Sequence, residues 1–334
     1  KMGTYEEAVT LGSRSLAMHE QLFGPTHPKV ANALYNLANA QRRAGRPEQA
    51  LELTARALEI RERSFGTEHP SVAIVLRTQA SSLGALGKHE QAILLKKRAV
   101  TIIERTFGAE HRRTAKALDS LANSHVRLGD LDRGEALAQR VLKIRQATLK
   151  PGHTDIASSF LNLASLARRR GDLTHAKTLL EQARTILESA RGPDHPDVAR
   201  VLDSLAAVYR EQQAWAESDR LLQRVSAIYE QTSGPDHPAI AEALLMLANN
   251  ALDRNEPATA RPYAERALEI YTKAGKKPKA LAPIQFALAR ALRGRGSEQP
   301  RARELATQAR DAYRDVGDKD NLARVEQFLE PISD

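Results

Sequence analysis

Between residues 28 and 45 the apolar side chains Val30, Leu34, Leu37 and Ala38 fall at i, i+4, i+7 and i+8, one stripe along a helix. Gly45 closes this segment as a residue free to take the left-handed cap. Pro47 opens a second helix, striped by Ala50, Thr54, Ala57 and Leu58, which runs past Arg63 to Phe65-Gly66. Gly66-Thr67-Glu68-His69-Pro70 is then a loop, and Pro70 begins the next helix. The unit recurs. His27, His69, His111, His153, His195 and His237 stand 42 residues apart. Ala31, Ala73, Ala115, Ala157, Ala199 and Ala241 keep the same step, as do Ala38, Ala80, Ala122, Ala164, Ala206 and Ala248. A fixed period of this length predicts a stack of equal helix pairs, each touching only its neighbours.

Small residues mark the close crossings. Ala38, Ala50 and Ala57 return as Ala80, Ala92 and Ala99 and as Ala164, Ala176 and Ala183. The set softens to Ala122, Gly134 and Val141 and to Ala206, Ser218 and Val225. A larger side chain there would force two helices apart or cost roughly 1–3 kcal/mol of overpacking. Leu37-Ala38, Gly45 and Ala50, with Tyr5-Glu6-Glu7-Ala8 and the variant Trp215-Ala216-Glu217-Ser218, resemble the tetratricopeptide repeat (TPR) over residues 4 to 316. HEAT arrays have a similar length but lack this alanine spacing. The longer unit and the Gly24-Pro25-Thr26-His27-Pro28 and Gly192-Pro193-Asp194-His195-Pro196 loops are similar to the kinesin light chain type of TPR. The resemblance implies an all-α fold, a right-handed superhelix (α-solenoid) of antiparallel helix pairs.

The expected organisation is a single solenoid over residues 1–334. Residues 4–23 match a second helix without its partner, 28–274 hold six repeats, 278–316 an atypical seventh, and 319–330 a capping helix. The orphan helix leads us to expect a C-terminal piece of a longer polypeptide. Phe286-Ala287-Leu288-Ala289-Arg290-Ala291-Leu292 and Arg310-Asp311-Ala312-Tyr313 resemble the end of bacterial Ser/Thr kinases that carry TPR arrays, which implies a kinase domain upstream.

Composition narrows the chemistry. There is no cysteine, so disulfides, thiolate metal sites and cysteine nucleophiles are excluded. No apolar run reaches the ~20 residues of a membrane span, and Lys1 to Glu7 lack a signal-peptide core. A cytoplasmic location without membrane attachment is expected. The formal charge of +9 favours acidic partners. Aromatic residues are only 4%, which counts against single-strand nucleic-acid binding, a mode built on stacking. Gly-rich phosphate loops, nucleophile elbows, His-Glu-x-x-His and kinase signatures are all missing, so no catalytic residue, cofactor or metal is expected in this segment. The six histidines lie a repeat apart, too far to share an ion, and read as loop or helix-start hydrogen-bonding groups.

The resemblance implies a non-catalytic interaction scaffold whose first helices line a concave groove for an extended peptide. In the kinesin light chain type an Asn before Leu-Ala can hold a peptide backbone; here that position is Asn36 and Asn162, but Thr78, Ser120, Ser204 and Met246 elsewhere. Asn32, Asn39 and Asn123 belong to the same face. Arg42, Arg43, Arg77, Lys116, Arg127, Arg168, Arg169, Arg200 and Arg210 fall at inward or rim positions and suit carboxylates or phosphates. Two readings stand side by side: a groove for an acidic protein or peptide, acting as the recognition arm of a larger signalling protein, and ordinary solvated arginines. Asp119, Asp203, Glu211, Glu242 and Asp253 dilute the charge towards the C-terminal end. Nucleic-acid or other polyanion binding and self-association through the solenoid end are the alternative functions. Trp215 reads as packing, and Lys273, Lys276, Lys277 and Lys279 as an exposed loop or a phosphate patch.

Overall fold

A computed structural model of the chain describes residues 2–294 and 296–330, with side chains from Tyr5 onward. Lys1, Arg295 and residues 331–334, which the expected span 1–334 includes, lie outside the described residues. Among the described residues the regular structure is helical throughout. In chain order the helices are α1 (Met2–Phe23), α2 (Pro28–Arg43), α3 (Pro47–Phe65), α4 (Pro70–Ala85), α5 (His89–Phe107), α6 (Arg112–Leu128), α7 (Leu131–Thr148) and α8 (Thr154–Arg169). They continue as α9 (Leu173–Arg191), α10 (Pro196–Glu211), α11 (Trp215–Ser233), α12 (Pro238–Asp253), α13 (Pro257–Lys273), α14 (Pro278–Leu292), α15 (Gln299–Val316) and α16 (Lys319–Leu329). The fold class is an α-solenoid of helix pairs. Contacts group the chain into two compact units, Lys1–Leu166 and Ala167–Asp334, with the boundary inside α8.

In the first unit α2 packs on α3, α4 on α5 and α6 on α7 as hairpins, and each second helix also meets the following first helix, α1 with α2, α3 with α4 and α5 with α6. The second unit repeats this with the hairpins α10–α11, α12–α13 and α14–α15, the links α9–α10, α11–α12 and α13–α14, and α16 on α15. The alanine columns are buried at these contacts. Their softening has a local cause. A Cβ on Gly134 would stand 2.6 Å from Cγ2 of Val126 and 3.6 Å from the Ala122 carbonyl, so Val126 takes the room an alanine would need. Ser218 stays in its column because its hydroxyl donates to the Ala206 carbonyl at 3.0 Å.

The periodic histidines start the first helices. Nδ1 of His27, His69, His111, His153, His195 and His237 accepts the backbone N–H two residues on, at 3.2, 3.2, 3.1, 3.0, 3.0 and 3.3 Å. This satisfies one of the N–H groups a helix start leaves open. The rings of His27, His69 and His111 stack on Phe23, Phe65 and Phe107, and that of His237 on Tyr229.

A second periodic device joins neighbouring repeats. Arg56, Arg98 and Arg140 of the first unit donate to the loop carbonyls of Pro25, Thr67 and Ala109, and they pair with Glu20, Glu62 and Glu104 on the preceding second helix. In the second unit Arg224 binds Pro193 O and Glu188, and Arg266 binds Pro235 O and Asp236. These arginines also step by 42 residues, with Gln182 standing in the same column.

The turn inside each hairpin needs a left-handed residue. Gly45, Gly87, Gly129 and Gly171 supply it, but Gln213 and Asn255 hold φ of +59° and +60° in the same column. Left-handed backbone is strained for a side chain such as glutamine, less so for asparagine. Gln213→Gly is therefore expected to raise stability by about 0.5–1 kcal/mol, after glycine's entropic cost, and Asn255→Gly by less. Urea unfolding midpoints test this; an unchanged or lower midpoint for Gln213→Gly contradicts it.

Candidate functional site

Successive first helices lie side by side within each unit, as α2 with α4 and α12 with α14. Their 42-residue register aligns the sequence-predicted positions into columns, and the two units use those columns differently.

In the first unit α2 and α4 carry no acidic residue, and α6 carries only Asp119. That carboxylate is occupied. Asn162 Nδ2 donates to its Oδ1 at 2.9 Å, and Arg145 Nη2 to its Oδ2 at 3.0 Å, while Arg145 Nη1 reaches Ser159 Oγ at 2.7 Å. One amide N–H of Asn162 is thus engaged within the fold. Asn32 accepts from Arg61 at 2.9 Å, and Asn39 and Asn123 donate to the Tyr35 and Asp119 carbonyls of their own helices at 3.0 Å each. Asn36 is exposed. Arg43, Lys116 and Arg127 are exposed, whereas Arg42 and Arg77 are half-buried, each with a buried Nε that meets no acceptor. Among the described residues no carboxylate lies within ion-pair distance of these five cations.

In the second unit the same columns are paired. Arg168 Nη1 meets Glu211 Oε1 at 2.5 Å, and Arg210 Nη2 meets Asp253 Oδ2 at 2.6 Å, each bond joining one first helix to the next. Arg200 lies 3.9 Å from Asp197, and Arg169 is exposed and partnered. Burial, reinforced by the charge of Glu242, pushes the Asp203 carboxyl above the usual range. The Tyr271 hydroxyl donates to Glu242 at 3.0 Å. The cations of the sequence set therefore separate into a group without carboxylate partners on α2, α4 and α6 and a partnered group on α8 and α10.

Of the remaining sequence candidates, Lys277 and Lys279 are exposed. Trp215 is half-buried at the start of α11. Lys273 pairs with Glu269 at 2.8 Å and Asp236 at 3.5 Å, and Lys276 lies over the Tyr271 ring. An open cleft of about 780 Å³ at the end of the second unit is lined by Phe286, Arg290, Arg293, Arg324 and Phe328. Two of its arginines are engaged, Arg290 with Asp253 and Arg293 over the Phe328 ring.

Arg61 and Lys96 are buried charged residues that the sequence pattern did not single out. Lys96 on α5 is buried, in a column otherwise held by Thr54, Ala138, Leu180, Leu222, Ala264 and Ala306, all buried too. Its Nζ donates to Ser120 O at 2.9 Å and Ser124 Oγ at 2.6 Å on α6. The one lysine in an apolar or small column is the sequence signal that would have found it. Burial, followed by the charges of Arg127 and Arg77, lowers its pKa to about 8 from 10.5. Between those values the unfolded chain holds a proton that the folded chain releases, so stability rises with pH across that window. The rise is expected to be smaller in Lys96→Met, as read from denaturant unfolding at several pH values. Parallel curves for the two proteins would contradict it.

The tetratricopeptide repeat family model matches residues 1–63, 42–105, 113–189, 155–231 and 197–273. No curated protein matches the chain by sequence. Among solved structures, the nearly identical TPR-like repeats assigned to a Podosopora anserina kinesin light chain are 26% identical, with a TM-score of 0.55, covering 62% of this chain and 98% of that one. BtubC from P. vanneervenii is 19% identical, with a TM-score of 0.60, over 69% of this chain and 92% of its own. Aspartyl phosphate phosphatase F from Bacillus subtilis is 14% identical, with a TM-score of 0.62, over 97% and 95%. The last two likenesses show the fold alone. Among the described residues no helix is long and apolar enough to cross a membrane. With family matches extending over most of its length, the chain belongs to the tetratricopeptide repeat family.

Proposed function

We propose that the chain is a non-catalytic scaffold that binds an acidic peptide or acidic protein surface along the first helices of its first unit. TPR repeats generally mediate protein–protein interaction. The observation that carries the finer reading is the set of five cations, Arg42, Arg43, Arg77, Lys116 and Arg127, with no carboxylate paired to them among the described residues. Fork-shaped guanidinium groups without an internal partner suit carboxylates or phosphates brought by another chain. Asn36 adds an amide on the same face. In the second unit Glu211 and Asp253 already take up Arg168 and Arg210, so those arginines, with Arg169 and Arg200, contribute less.

The wider reading keeps to sequence resemblance. Six repeats of the 42-residue kinesin light chain type in one register from 28 to 274, a variant pair at 278–316 and a closing helix form one array. The likeness of residues 286–292 and 310–313 to kinase-linked arrays favours a role as the recognition arm of a cytoplasmic signalling protein.

Fluorescence anisotropy with a Glu-rich peptide tests the reading, with a neutral peptide of equal length and a DNA duplex of arbitrary sequence as comparisons. The double variant Arg43→Glu, Arg127→Glu is expected to lose roughly tenfold or more in affinity for the acidic peptide with unchanged helical circular dichroism. Arg168→Gln with Arg210→Gln should change it by less than about threefold. Equal affinity in the reversal variant sinks the reading. Tighter, steeply salt-dependent binding of the duplex would replace it with a polyanion function.

A further inference from the structure

Lys96 is the place where this array departs most from its own rule. Six other repeats fill that column with a small or apolar side chain, and here the column carries an ammonium. The cost of burying it is offset by only two acceptors, Ser120 O and Ser124 Oγ, although an ammonium has three N–H groups to place. Ser120 stands in the register of Asn36 and Asn162, so Nζ is bonded to a backbone carbonyl of the first helix at that register position. The charges acting on it are cationic. They belong to Arg77 on α4 and Arg127 on α6, and neither meets a carboxylate among the described residues. The Arg77 Nε is itself buried with no acceptor. Two further cations beside a buried ammonium that has an N–H still to place are a poor way to stabilise a hairpin junction and a good way to receive negative charge.

We propose that Lys96, flanked by Arg77 and Arg127, anchors one oxyanion of the bound segment, a carboxylate or a phosphoryl group, at the junction of the second and third repeats. The proposal rests on the reading of this face as the site for an acidic partner, and it assigns the point of tightest contact. Lys96 supplies the remaining N–H, Arg77 the charge of a half-buried guanidinium, and Arg127 exposed charge at the rim. The oxyanion compensates the repulsion that the fold leaves in place.

The test uses the intact chain and two inorganic or simple probes. Its amines are acylated at about pH 8 in chloride, acetate or phosphate of equal ionic strength, and the rate at each lysine is read by peptide mass spectrometry. A bound anion raises the pKa of Lys96, and a rise of about one unit slows its labelling roughly fivefold at that pH. Exposed Lys97 serves as the internal control and should not respond. Slowing in acetate points to a carboxylate and slowing in phosphate alone to a phosphoryl group; either supports the anchor. Identical Lys96 rates in all three salts overturn it.

If Lys96 is too shielded to label in chloride, the thermal midpoint gives the same decision. Acetate or phosphate should raise it in the wild type and not in Arg77→Gln, Arg127→Gln, and an equal rise in both overturns the proposal. Loss of the anchor with retained binding of the Glu-rich peptide removes this inference and leaves the face as a docking surface. Anion protection of Lys96 with no peptide binding does the reverse.

Discussion

Two helices can approach this closely only where neither presents a bulky side chain, and that steric constraint sets the spacing of each hairpin. Alanine meets it in most repeats. Where Val126 pushes across from the first helix, the facing residue shrinks to Gly134; where a serine stands, its hydroxyl is taken up by the Ala206 carbonyl. With the spacing fixed, every first helix presents the same numbered positions on the same face. The charge pattern of that face is then a matter of which residues fill those columns.

The filling differs between the units. On α2, α4 and α6 the columns hold arginine and lysine with a single, fully occupied aspartate. On α10 and α12 they hold arginine together with the acids that neutralise it. A net charge of +9 for the whole chain does not convey this, because the unpaired cations of the face are gathered in one unit. Ion pairs between exposed groups add little to stability, so the pairs of the second unit matter more for what they withhold from a partner than for what they hold together.

Much of the fold was legible in the sequence because its signals are periodic and local. The helix stripes, the turn glycines and the histidine columns each follow from backbone geometry within a few residues, and the histidines proved to be helix-start acceptors. The face was legible as a list of residues but not as a balance of charge. Whether Arg168 is available depends on Glu211, a residue 43 positions away that a helix-by-helix reading counts only as diluting the field. The bond from the Asn162 amide to Asp119 of the neighbouring helix was out of view for the same reason. The Arg56, Arg98 and Arg140 column was present in the numbering, yet surface arginines blend into a basic composition, and their meaning appears only when the loop carbonyl is in view. Lys96 was hidden by the habit of searching first helices for function.

That arginine column also bears on how the array responds to its surroundings. Arg56, Arg98 and Arg140 each reach back to the loop before their own hairpin and to the helix preceding that loop, so they link neighbouring repeats. The contacts are ionic and partly wet, and they lie beside buried apolar packing that also joins neighbours, as where Ile60 of α3 and Val75 of α4 share one cluster. Added electrolyte therefore loosens the ionic part of each link and leaves its apolar part in place.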